Sequence, residues 1–63
     1  MNADSSLTRL EELLRRLEDA RDRLEKTEDP EAAVQVLGEL SELAREVQAE
    51  VEKARAESRD ALA

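Results

Sequence analysis

Lys26-Thr27-Glu28-Asp29-Pro30-Glu31 is the stretch that decides the fold of this 63-residue chain. Asp29 followed by Pro30 is a helix-start signal. The Asp carboxylate can accept from the free N–H groups of a first turn, and Pro suits the first helical position because its missing N–H is not needed there. Glu31 adds negative charge at the positive end of the helix dipole. Pro30 also disfavours helical geometry at Asp29, so a helix arriving from the other side must end before it. With a connection of about three or four residues, the second helix returns antiparallel along the first. The expectation is one all-α domain, residues 1–63, built as an antiparallel helical hairpin. Its first helix runs from about residue 6 to 26, its turn covers 27–29, and its second helix runs from about 30 to 60.

Downstream of the turn an apolar stripe keeps 4-3 spacing through Ala33, Leu37, Leu40, Ala44, Val47, Val51, Ala54, Ser58 and Ala61. That spacing is the seam of a helix packed on other helices. Val34, Val36 and Leu43 flank the stripe, while Glu46 and Glu52 fall on the solvated side. Upstream, Leu7, Leu10, Leu14, Leu17 and Leu24 form the matching stripe, and Leu13 and Ala20 widen it on one side. A stripe that broad suits a bundle better than a two-stranded zipper. Asp4, Ser5 and Ser6 offer N-cap oxygens before it. Glu11–Arg15, Glu12–Arg16, Asp19–Arg23 and Asp22–Lys26 stand four residues apart, each worth about 0.2–0.5 kcal/mol if formed.

The two helices are unequal. At 1.5 Å per residue the first is about 30 Å long and the second about 45 Å, so about ten residues of the second outrun their neighbour. The leftover seam calls for a partner outside the hairpin, in a coiled-coil or four-helix-bundle oligomer. Composition agrees. The chain has no aromatic residue, one Gly, one Pro and no Cys, and 43% of it is charged. Leu, Val and Ala can fill a narrow helix–helix seam but not the thicker core of a sandwich or α/β domain. A chain this short, without disulfides or a metal, draws stability from association.

Several functions are disfavoured. A net charge of −7 repels phosphate, which argues against direct nucleic-acid binding and against an anionic membrane surface. No apolar run approaches the roughly 20 residues that span a bilayer. The N-terminal residues lack the basic start and apolar stretch of a signal peptide, so a soluble cytoplasmic protein is expected. Without His or Cys, the serines have no activating base and an ordinary zinc site has no ligands. Glu11, Glu18 and Glu25 recur every seven residues on one edge of the first helix. Di-metal bundles pair such glutamates with Glu-x-x-His motifs, and His is missing, so these read as a solvated acidic edge. Arg15, Arg16, Arg21 and Arg23 are interleaved with acidic residues and read as intrahelical pairs. Catalytic residues, cofactors and metals are therefore expected to be absent. Arg21 occupies a seam position. It can reach a carboxylate on another helix, or lay its stem along the seam edge with its head in water. Gly38 lies inside the second helix, either exposed or closely approached by another backbone.

Leu10-Glu11-Glu12-Leu13 and Leu17-Glu18, followed by Glu31, Val34, Leu37, Glu42-Leu43-Ala44-Arg45, Gln48, Val51 and Ala54, resemble the small subunit of bacterial exodeoxyribonuclease VII over about residues 10–54. Leu10 and Leu37 stand where that family usually has aromatic residues, and the family's second-helix Gly aligns near Leu40. The resemblance implies a non-catalytic accessory subunit. A separate large subunit would degrade single-stranded DNA, and several small subunits would bind its helical extension. The expected interface residues are Leu37, Leu40, Ala44, Val47 and Val51, with Leu14 and Leu17 opposite. Two other readings use the same surface. One is a self-assembling hairpin whose copies form an antiparallel four-helix bundle. The other is a regulator that sequesters a basic or helical partner. The expected partners are thus the chain itself, a larger helical subunit, or both.

Overall fold

The computed structural model describes residues 3–62, with side chains described for residues 5–60. Helix α1 spans Ala3–Lys26 and helix α2 spans Pro30–Leu62. Among the described residues there is no strand. The two helices pack on each other. Arg9 reaches Glu46 at 2.8 Å, and Arg23, later in α1, reaches Glu39, earlier in α2. Those crossed pairs and the short connection make the hairpin antiparallel.

The connection closes both helix ends. The Thr27 hydroxyl donates to the Arg23 carbonyl at 2.6 Å, and the Thr27 N–H donates to the Leu24 carbonyl at 3.3 Å. These bonds satisfy carbonyls that the end of α1 leaves without intrahelical donors. On the other side the Asp29 carboxylate accepts from the Glu31 N–H at 3.4 Å, and its carbonyl accepts from the Ala33 N–H at 3.0 Å. Asp29 therefore caps α2 and Pro30 opens it.

Helix α1 starts at Ala3, ahead of the start expected near residue 6. Asp4, Ser5 and Ser6 consequently lie inside the helix instead of capping it. Ser6 is 1% exposed and sits on the seam toward α2. Helix α2 continues to Leu62, and the side chains of Ala61 and Leu62 lie outside those described.

The seam inside the hairpin is displaced from the expected one. Val36 and Leu43, expected as flanks, are buried, whereas Leu37 is 52% exposed and Ala44 is also exposed. In α1, Leu13 and Ala20, expected as side extensions, are 0% exposed, while Leu7 and Leu14 are 57% and 56% exposed. Leu10, Leu17 and Leu24, like Leu40, Val47 and Ala54, are half-buried and belong to both stripes. The cause is geometric. Each apolar stripe is wider than one neighbouring helix can cover, so the hairpin buries one side and leaves the other open.

Candidate helix-docking face

At 3.6 residues per turn, Leu7, Leu10, Leu14 and Leu17 share one side of α1. Leu37, Leu40, Ala44, Val47 and Val51 share one side of α2. In an antiparallel pair these two sides lie on the same face of the hairpin, because two right-handed helices that face each other and run in opposite directions turn toward the same side. The result is an open apolar face one hairpin wide. All seven residues expected at the interface lie on it. Leu14, Leu37 and Ala44 are exposed, and Leu17, Leu40, Val47 and Val51 are half-buried along its midline. Leu7 belongs with them and was missing from the expected set. Val34, 67% exposed, lies further round α2 on its outer side.

The opposite face is closed by charge. Arg9 lies 3.1 Å from Glu12 and 2.8 Å from Glu46, and Arg16 lies 2.9 Å from Glu12. Arg23 pairs with Glu39 across the hairpin. The hydrogen bond from Arg9, then the charge of Arg16, holds the Glu12 carboxyl below the usual glutamate value. The Glu39 carboxylate raises the pKa of Arg23 in turn, first through its hydrogen bond and then through its charge. Glu46, expected to be simply solvated, is thus a cross-helix partner. A shallow groove along this edge is lined by Arg16, Asp19, Arg23, Glu39, Glu42 and Glu46, an acidic excess over two arginines.

The signal for this arrangement is in the chain. Arg9, Arg16 and Arg23 repeat every seven residues, as do Glu39 and Glu46. Two edges of opposite charge, one on each helix, indicate which sides meet. That choice buries Leu13, Ala20, Val36 and Leu43 and leaves the other half of each stripe open.

The turn end of the open face is polar, and so is the far end of the seam between the helices. Near the turn, the Arg21 head is exposed and stands 3.8 Å from Glu25, so it points to water and not into the hairpin seam. Far from the turn, the register brings Ser6 level with Glu50. The Ser6 hydroxyl and one oxygen each of Glu50 and Glu57 are buried, with no hydrogen-bond partner among the described residues. The seam between the helices therefore turns polar at that end, while Val51 and Ala54 stay half-buried beside it. Gly38 points outward, and a Cβ built there meets nothing within 4 Å. No helix among the described residues is long and apolar enough to cross a membrane. Among them, no cluster of three or more Asp, Glu, His or Cys side chains is placed to hold a metal ion.

Comparison with known proteins leaves the geometry to speak for itself. No family model, no curated protein and no solved structure matches the chain.

Proposed function

We propose that this chain is a non-catalytic helical accessory subunit of the cytoplasm that works by laying its open apolar face against helices of a larger protein. One observation carries the reading: Leu7, Leu14 and Leu37, on a single face, are each more than half exposed. Large aliphatic residues gathered on one face of a soluble helical pair mark an interaction site. The partner class comes from the resemblance at Leu10–Leu13, Leu17-Glu18 and Glu42–Arg45. It is the helical extension of a large nuclease subunit of the exodeoxyribonuclease VII type. The hairpin with unequal helices fits a part that adds helices to such an extension. Catalysis would belong to the larger subunit.

The test mixes the purified chain with a matching large subunit. Native mass spectrometry should find several copies bound, and hydrolysis of single-stranded DNA by the large subunit should change on their addition. Leu37→Asp should prevent both effects, because an unpaired charge would be buried at the junction. Leu37 is exposed in the hairpin, so this variant leaves the hairpin core intact. A large subunit that ignores the unsubstituted chain sinks the reading.

A further inference from the structure

We infer that the helix accepted by the open face is amphipathic with one basic flank, whose Lys or Arg residues lie along the α1 rim of the face. The inference rests on the reading that this face docks a helix of another protein, and it names the chemistry of that helix, not its source.

The two rims of the face differ. At 3.6 residues per turn, Glu11, Glu18 and Glu25 follow Leu7 and Leu14 round the outside of α1, one every seven residues. Successive members stand about 10.5 Å apart. All three are exposed. Glu25 answers Arg21 at 3.8 Å, while Glu11 and Glu18 take part in none of the described ion pairs. Arg15, which lies further round the back of α1, takes part in none of them either. The α2 rim is uncharged over the same stretch. Beyond Leu37 and Ala44 come Ser41, Gln48 and Val34, all exposed. Arg45 lies beyond Val34 on the outer side of α2, and Arg55 is taken up by Glu52 at 3.4 Å.

A helix laid lengthwise on this face covers the apolar strip with its own apolar side and brings one flank over each rim. The flank over α2 meets neutral residues. The flank over α1 meets two carboxylates without a cation, in a place that the docked helix shields from water. A neutral flank would strip water from them with nothing in return, and an acidic one would add repulsion. Basic residues at seven-residue spacing come level with Glu11 and Glu18 in turn and answer both. A second copy of this chain offers no free row of this kind. Its arginines at seven-residue spacing are held on the closed side, Arg9 by Glu46, Arg16 by Glu12 and Arg23 by Glu39. The occupant is therefore a helix of a different protein.

Three fluorescently labelled synthetic peptides test this on the full chain, each about 21 residues long, or about 32 Å as a helix. They share one apolar stripe of Leu and differ on a single flank, which carries Lys, Gln or Glu at seven-residue spacing. In anisotropy titrations the Lys peptide should bind roughly tenfold tighter than the Gln peptide, and the Glu peptide should bind weakest. The double variant Glu11→Gln/Glu18→Gln should bring the Lys and Gln peptides to within about twofold of each other. Glu42→Gln/Asp60→Asn removes the same charge from exposed positions away from the α1 rim and should leave the preference intact. Leu37→Gln should weaken all three peptides. Equal binding of the Lys and Gln peptides to the unsubstituted chain, equal loss of preference in the two double variants, indifference to Leu37→Gln, or no binding by any peptide overturns the inference. A large subunit that binds the chain through a helix without a basic flank would also overturn it, and would leave the accessory-subunit reading standing. The expected peptide preferences, with a large subunit that ignores the chain, would do the reverse.

Discussion

Gly38 has an empty surrounding, and its backbone is already helical. Replacing it with Ala adds no clash and removes conformational freedom from the unfolded chain. Gly38→Ala should therefore raise stability by about 0.5–1 kcal/mol, read as a higher midpoint in thermal denaturation followed by circular dichroism. The association state should not change, because Gly38 faces away from both the hairpin seam and the open face. Glu12 offers a second residue-scale check. Held by Arg9 and Arg16, its carboxyl should titrate below the ordinary glutamate value of about 4.3 in a carboxyl chemical-shift titration. A carboxyl whose pKa falls on folding stabilises the hairpin at pH values above that ordinary range. The contribution disappears as the pH drops through the lowered value. Glu12→Gln should accordingly weaken the hairpin at neutral pH and have little effect in strong acid.

Leu13 and Leu14 are chain neighbours on opposite sides of the division between buried and open stripe. Leu13→Ala opens a cavity at a fully buried position and should cost about 2–5 kcal/mol. The loss should lower the thermal midpoint at every protein concentration. Leu14→Ala touches no buried position of the hairpin. Its effect should appear in binding of the large subunit to the open face, with the thermal midpoint of the isolated hairpin nearly unchanged. Equal effects of the two changes would show that the division is misplaced. The same pair shows what the sequence makes legible. The break at Asp29-Pro30, the two helices and the membership of the apolar stripes all follow from capping chemistry and periodicity. Which half of each stripe turns inward does not. Leu40, Val47 and Ala54 serve either alternative, so periodicity alone leaves Leu37 and Val36 as equal candidates. The choice falls to long-range charge, Arg9 with Glu46 and Arg23 with Glu39, which a helix-by-helix reading does not weigh. Ser6 was misjudged for a related reason. A serine near a helix start reads as a cap, and its burial against α2 becomes visible only once the partner helix is placed.

The molecule as a whole carries a net charge of −7 and has no aromatic side chain. Binders of single strands combine a positive groove with stacking platforms, and this chain has neither. The isolated protein should show no affinity for single-stranded DNA at physiological salt in a fluorescence-anisotropy titration with labelled oligonucleotide. Tight binding would contradict the accessory-subunit reading.

The difference in helix length, 24 residues in α1 against 33 in α2, gives the hairpin the proportions of a rod, 51 × 15 × 12 Å with a radius of gyration of 14.9 Å. A compact chain of this length would have a radius of gyration of about 10–11 Å. Friction therefore differs with direction. A single hairpin drifts through a gel-filtration column like a heavier sphere, and early elution is what its shape alone produces. Tumbling is split in the same way, fast about the rod's axis and slow end over end. Backbone N–H bonds in an α-helix lie nearly along that axis, so spinning about it hardly reorients them. Nitrogen-15 relaxation should report nearly one long correlation time along both helices, set by the slow end-over-end motion.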